Sequence, residues 1–418
     1  MKNTKVLINK LSFLNDIIVK YDIKSTNISP RKYSQFIHLF SSLKDFRIKK
    51  KCSYKLENLM LIIFLAKMAE EGDSCTSIAR YAYLKKDELF SYGILEKNED
   101  GEIMIPSHDC FRYFLMNFDS NELKEAFINR IVKFMNNIYT YNENPGKYSL
   151  LSIDGQEFKG SGRSLNSKNP QGNIATLNIF DASSYVCLYS EPISKKESEI
   201  TSARSILTYL DLSKKIITAD ALHTQSDTAR LIIHRKGNYV FRVKENQKGL
   251  LDEIIALFKK GKKIETIDTD LRTIEILYLS PSYIGTEFPG QKAYIKVTSK
   301  QNSNKGDILY FVSSLKDSIA IKEAIENRWD IENGLHKGKD FYLNEDEFHL
   351  KDKTSVANFS VINNIILSLF KIAHNLFNNK ELIMTRKTFK FKPMETLQLL
   401  MTLISTSQLS KLIKEKLQ

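Results

Sequence analysis

Two aspartates in this 418-residue chain each close a short apolar run: Asp154 ends Leu-Leu-Ser-Ile-Asp and precedes Gly155, and Asp220 ends Lys-Ile-Ile-Thr-Ala-Asp and precedes Ala221. A carboxylate at the end of a buried strand is costly unless something compensates it. Neighbouring strand ends of an α/β sheet open into the crevice where ligands collect. Two carboxylates side by side in such a crevice repel, and a divalent cation lets both stay ionised. Hard oxygen donors of this kind select Mg²⁺ or Mn²⁺ over Zn²⁺. Taken singly, Asp154 reads as the cap of a loop or helix start, and Asp220 as the cap of a helix at His223. Taken together in the strand order set out below, they read as metal ligands.

A third acid stands in Asn327-Arg328-Trp329-Asp330-Ile331-Glu332-Asn333, with Lys339 seven positions beyond Glu332. At ~3.6 residues per turn, spacings of four and seven bring Arg328, Glu332 and Lys339 onto roughly one helix face. Gly334 and Gly338 interrupt that helix and make Lys339 the weaker part of the geometry. Such a face could hold a metal through its acid and phosphates through its cations. Read alone, it is equally a solvated helix face with an ordinary ion pair. Glu345-Asp346-Glu347 offers a rival third acid, but the helical spacing favours Glu332.

The elements that must position these groups can be read from periodicity. Residues 1–147 are mainly helical, with helices expected over Tyr54–Glu71 and Ser120–Tyr139, the latter N-capped by Ser120. Asn, Pro and Gly gather in Asn142–Lys147, which marks a boundary. Strands are expected at Tyr148–Asp154, Asn173–Asp181 and Tyr185–Pro192, then a helix at Glu197–Leu210. A strand follows at Lys215–Asp220, a helix at His223–Arg235 and a fifth strand at Asn238–Lys244. Three hairpin-linked strands followed by α/β crossovers predict an α/β fold, a mixed sheet covered by helices. Residues 264–315 then read as an inserted β region, with strands at Glu265–Leu279, Lys292–Thr298 and Asp307–Val312. Helices return at Ser318–Leu335 and Thr354–Asn378, and a helical tail is expected within 379–418. The chain thus divides into a helical N-terminal region (1–147), a catalytic core (148–378) and a tail.

Composition bounds the function. Lys and Arg total 62 against 49 Asp and Glu, a net charge of +13. Such a surplus suits a protein that sits on phosphate backbones, although an AT-rich coding sequence would also load a chain with lysine. No run approaches the roughly 20 apolar residues needed to span a bilayer. No secretory signal is read at the N-terminus, so a cytoplasmic, nucleoid-associated protein is expected. The four cysteines form no C-x-x-C pair, which argues against a zinc site or a disulfide framework. No Gly-rich phosphate loop supports a basic metabolic enzyme.

Four strings carry a family resemblance: LSIDGQEFKGS (151–161), ITADALHTQ (217–225), YVFRVKENQ (239–247) and RWDIENGLH followed by FYLNEDE (328–336, 341–347). With FSSLKDFRIKKKCSYKLENLMLIIFLA (40–66) and IPSHDCFRYFLMNFD (105–119), they resemble, in order, the H-repeat-associated (ISAs-type) branch of DDE insertion-sequence transposases. The likeness spans roughly residues 36–375. It implies an RNase H-like core whose catalytic and metal-binding acids are Asp154, Asp220 and Glu332. Arg328, Glu332 and Lys339 match the wider superfamily's Tyr-x2-Arg-x3-Glu-x6-Lys signature, with Ile325 in place of Tyr. Lys337 stands where the family often has Trp.

The resemblance also implies DNA or active-site contacts at Lys244, Asn246 and Gln247. Lys159, Arg163 and Lys168, after the first acid, are candidates for phosphate contact, as is the basic run Arg47–Lys51. His223 and His336 lie near the acids in sequence and are candidates for contact with DNA. Trp329 is expected to pack its helix rather than to stack on a base. The implied partners are double-stranded DNA, as terminal inverted repeats and target, and a second copy on paired ends. The implied chemistry uses two Mg²⁺ ions, with Mn²⁺ as a substitute, in cleavage at element ends and strand transfer. The rivals are another RNase H-like metal nuclease and an inactive DNA-binding relic.

Overall fold

The computed structural model describes residues 52–128, 148–163, 171–182, 185–193, 196–261, 264–300 and 306–376, with residues 40, 43–48, 50, 390, 393, 394 and 397. The expected boundary at Asn142–Lys147, most of the tail, Lys168, Lys49 and Lys51 lie outside the described residues.

Nine strands form one sheet in the order β3-β2-β1-β4-β5-β9-β8-β7-β6. They are β1 (Ser149–Phe158), β2 (Ile174–Asp181), β3 (Val186–Ile193), β4 (Lys215–Ala219), β5 (Asn238–Val243), β6 (Ile264–Asp268), β7 (Arg272–Tyr278), β8 (Ala293–Ser299) and β9 (Ile308–Ser313). β1 pairs in parallel with β4, and β4 with β5, while the remaining pairs are antiparallel. The mixed α/β sheet expected from the strand order is present. The inserted strands extend it, β9 adding antiparallel to β5.

Alternation in the central strands supplies two cores, because successive side chains point to opposite faces. Leu151 and Ile153 of β1, Ile217 and Ala219 of β4 and Tyr239 and Phe241 of β5 face one core. It is covered by α6 (Lys196–Tyr209), α7 (Ser226–His234) and α8 (Lys248–Lys259). Leu150, Ile216 and Val240 face the other core, covered by α9 (Ser318–Asn327) through Ala320, Ile321, Ala324 and Ile325.

Several elements depart from expectation. β1 runs four residues past Asp154, because its antiparallel ladder with β2 continues to Phe158. The single strand expected at Glu265–Leu279 is a hairpin of β6 and β7, turned at a segment without Gly or Pro. α8 was not expected, although Leu250, Ile254 and Leu257 recur at helical spacing. The helix expected from His223 starts at Ser226, after a 3-10 turn over Ala221–His223. The α-helix expected to reach Leu335 ends at Asn327, and Ile331–His336 forms a π turn leading into α10 (Lys337–Leu343). Gly334 lies in that turn because the Tyr185 hydroxyl occupies the place a Cβ would take.

The N-terminal helices are α1 (Leu56–Met68), α2 (Cys75–Leu84), α3 (Lys86–Ser91), α4 (His108–Asn117) and α5 (Ser120–Leu123). Of the helix expected over Ser120–Tyr139, α5 is followed by a π turn at Lys124–Ile128, and the rest lies outside the described residues. Their apolar faces merge into one core with β2, β3, α10 and α11 (Lys353–Leu376). Buried Asn358 on α11 donates to the carbonyls of Leu115 (2.7 Å) and Phe118 (2.6 Å), tying α11 to the end of α4. Replacing Asn358 with Leu removes both bonds from buried acceptors. The expected cost is about 2–4 kcal/mol of unfolding free energy in urea titrations, and an unchanged midpoint would refute the role of this tie.

Candidate active site

The parallel ladder of β1 and β4 ends at the pair Ile153–Ala219, so Asp154 and Asp220 follow as the next residues on adjacent strands. Paired strands lie ~4.8 Å apart. Both aspartates share the parity of Leu150 and Ile216, the face covered by α9. The segment after α9 carries Glu332 on the π turn, which packs against β1. Single π turns inside helices recur at functional sites.

The two aspartates experience opposite environments. Burial pushes the Asp154 carboxyl up to about 7, and the charges of Glu332, Glu199 and Asp220 add to the shift against one opposing bond, from the Gly155 N–H at 3.0 Å. His336 stands beside it, Nδ1 lying 3.7 Å from Oδ2. Burial holds that imidazole down at about 3, with Lys339 adding to the shift, so it is neutral near pH 7. Burial also pushes Asp220 up, but the Ala221 N–H, Lys244 and Arg328 outweigh it and leave the carboxyl below its usual range. Lys244 Nζ lies 3.2 Å from Asp220 Oδ2, and Arg242 and Arg328 lie 3.8 and 3.9 Å from Oδ1. Arg328 is buried, with its guanidinium 4.4 Å from the ring of Trp329, whose other contact is Arg272 at 3.9 Å. Trp329 packs against the α9-side core, as expected.

Asp154 and Asp220 offer oxygen donors of the kind a hard divalent cation takes. Asp154 lies among three carboxylates that disfavour its ionised form, and Asp220 Oδ1 is a buried oxygen without a hydrogen-bond partner. Glu332 is exposed and near enough to act electrostatically on Asp154 and Arg328. Among the described residues no group of three His, Cys, Asp or Glu side chains closes into a ligand shell. Asp220 leans instead on its three cations.

Several other expected site residues turn out to be structural. Lys339 is fully buried and paired with buried Glu345 at 3.1 Å, with Ser360 Oγ at 3.4 Å, so it does not face DNA. Glu345 also accepts from Asn363 at 3.1 Å, which removes it as a rival third acid. The π turn changes the phase of the helix, so the spacing of four and seven no longer describes one face. His223 is buried and bonded to Glu199 at 2.9 Å, which likewise withdraws it from DNA.

Asn246 donates to the Ala221 carbonyl (2.7 Å) and Gln247 to that of Thr224 (2.9 Å), so both brace the turn after Asp220. Lys244 is half-exposed beside the acid. Lys159 is exposed but paired with Asp346 at 2.6 Å, and Arg163 is exposed, its backbone bridging Gln171. A groove of about 640 Å³ opens beside Asp220, lined by Arg242, Lys244, Leu251, Ile308 and Tyr310. Glu199 was missed in the sequence, where it is one acid in the first turn of an ordinary amphipathic helix.

Two consequences can be measured. The folded pKa of Asp154 lies above its unfolded value, so its burial costs nothing below ~pH 4 and the cost grows as pH rises toward 7. Asp154→Asn therefore raises unfolding free energy at ~pH 8 by on the order of 3 kcal/mol and leaves it unchanged near pH 4. A pH-independent difference would refute this electrostatic account. Lys339→Ala leaves buried Glu345 without its ion-pair partner and lowers stability by about 3–5 kcal/mol. DNA affinity of the folded fraction stays unchanged, and a selective affinity loss without destabilisation would restore Lys339 to the DNA surface.

The family model for the DDE_Tnp_1-associated domain matches residues 37–131, and that for the transposase DDE domain matches residues 145–369. The chain is 26% identical over 360 residues to YbfL of Escherichia coli K12, covering 79% of this chain and 88% of the relative. It is 24% identical to YhhI of the same strain, an H repeat-associated protein assigned as a transposase, over 79% of this chain and 88% of the relative. The piggyBac transposase synaptic complex with hairpin DNA aligns with 94% of this chain and 85% of that one, at 13% identity and a TM-score of 0.41. DDE transposase domains use divalent metal ions, in keeping with the donor set. The described residues include no helix long and apolar enough to cross a membrane. With its DDE domain matched across more than half its length, this chain belongs to the DDE transposase family.

Proposed function

We propose that the protein is a Mg²⁺-dependent transposase that cleaves DNA at the ends of an insertion element and joins those ends to target DNA. The observation that carries the reading is the placement of Asp154 and Asp220 at the shared end of the β1–β4 ladder, on the face that Glu332 approaches. Asp154, Asp220 and Glu332 would hold the ions, which when bound activate the attacking oxygen and stabilise the leaving oxygen of an in-line displacement. Mn²⁺ suits the same oxygen donors.

The chain's own residues supply the rest. Arg242, Lys244 and Arg328 surround Asp220 with positive charge at the mouth of the groove, suited to holding a DNA phosphate. Asn246 and Gln247 fix the turn that carries Asp220. In the first step water attacks the scissile phosphorus, the P–O3′ bond breaks, and the departing oxygen takes a proton as a 3′-OH. In the second, that 3′-OH attacks a target phosphodiester, displacing one target oxygen as a new 3′-OH. Neither step requires a covalent enzyme intermediate.

Asp154→Asn, Asp220→Asn and Glu332→Gln are expected to abolish strand cleavage of an element-end duplex while leaving its binding largely intact. Cleavage is read on denaturing gels and binding by mobility shift. A variant that keeps full cleavage takes its residue out of the site.

A further inference from the structure

Glu199 meets the active site from the side of the sheet opposite Asp154. It sits in the first turn of α6, on the face packed against Leu151, Ile153 and Ala219, whereas the aspartates take the face under α9. The carboxylate is nevertheless buried near the acid pair, close enough to act electrostatically on Asp154. Its Oε2 lies 3.0 Å from where a Cβ on Gly155, the residue after Asp154, would stand. Its Oε1 lies 2.9 Å from Nε2 of buried His223, which closes the 3-10 turn directly after Asp220. One side chain therefore lies beside Gly155, the residue after Asp154, and bonds His223, three residues after Asp220, near the point where the parallel ladder stops and backbone pairing no longer sets their separation. Because Gly155 has no side chain, the carboxylate can come this close. Among the described residues, the Glu199 carboxylate accepts from His223.

We propose that Glu199 is a positioning residue of the active site, a clamp that through His223 and Gly155 fixes the spacing of Asp154 and Asp220 for a divalent cation. The inference rests on the transposase reading of that site. It assigns Glu199 no contact with DNA and no direct ligation. The hydrogen bond to His223 carries the effect, so a neutral acceptor of the same length should replace it.

The test uses the full chain and Mn²⁺ alone, with free ion followed by electron paramagnetic resonance. Cleavage rate against Mn²⁺ concentration and DNA affinity are measured in parallel. Glu199→Ala is expected to weaken Mn²⁺ binding about tenfold to a hundredfold, as loss of a group that orients metal ligands does. The metal midpoint of cleavage shifts by a similar factor, with DNA affinity unchanged. Glu199→Gln keeps an acceptor for His223 and should stay within about threefold of the parent protein, a rescue that separates positioning from general loss of folding. Wild-type Mn²⁺ affinity in Glu199→Ala overturns the clamp, as does a Glu199→Gln variant as impaired as the alanine variant. Failure of the unaltered protein to bind Mn²⁺, or of Asp154→Asn to reduce that binding, overturns the reading of the site itself and the clamp with it.

Discussion

Where the parallel pairing of β1 with β4 stops, the candidate site of this protein begins. Up to Ile153 and Ala219 the two backbones satisfy one another, and side-chain parity is dictated by the ladder. One residue later both strands present a carboxylate to the same face, side by side, with the ladder no longer extending between them. The crossover helix between β3 and β4, the short β4 and the length of β1 beyond Asp154 all serve this juxtaposition. A parallel pair needs a crossover connection, here α6, and that connection brings Glu199 back against the sheet.

The charges around the pair are unequal. Asp154 is crowded by other acids and by burial, whereas Asp220 has three cations within 4 Å. The two carboxylates therefore sit at different protonation tendencies on one ladder end, although their backbone positions are equivalent. Neutral His336 beside Asp154 adds bulk and a hydrogen-bonding group without adding charge. A cation entering from the α9 side would meet its strongest electrostatic need at Asp154, and the arginines and Lys244 around Asp220 would turn toward incoming phosphate oxygens.

Much of this was legible in the sequence because it depends on local rules. The apolar run ending in Asp220 marks a strand end, and the order of hairpin strands and crossovers predicts the mixed sheet, whereas β1 continues past Asp154 to Phe158. What escaped depends on geometry that sequence spacing does not carry. A π turn differs from an α turn by one residue in its bonding and has no compositional mark, so Lys339 reads as a partner of Glu332 when it is locked to Glu345. The β6–β7 turn has neither Gly nor Pro, and Asp270 alone marks it weakly. Glu199 becomes visible only when Gly155 is seen to admit it across the sheet. His223 adjoins the second acid in sequence, yet its ring turns inward, which no local pattern reveals.

One core joins the N-terminal helices to α11, α10 and the π turn. Ile331 and Leu335, which flank Glu332, lie in the same apolar mass as Phe64, Phe111 and Phe127. The segment that precedes the DDE domain is thus part of the wall against which the third acid stands. The two segments are therefore not independent modules: a change of helix packing in one alters the ground under Glu332 in the other.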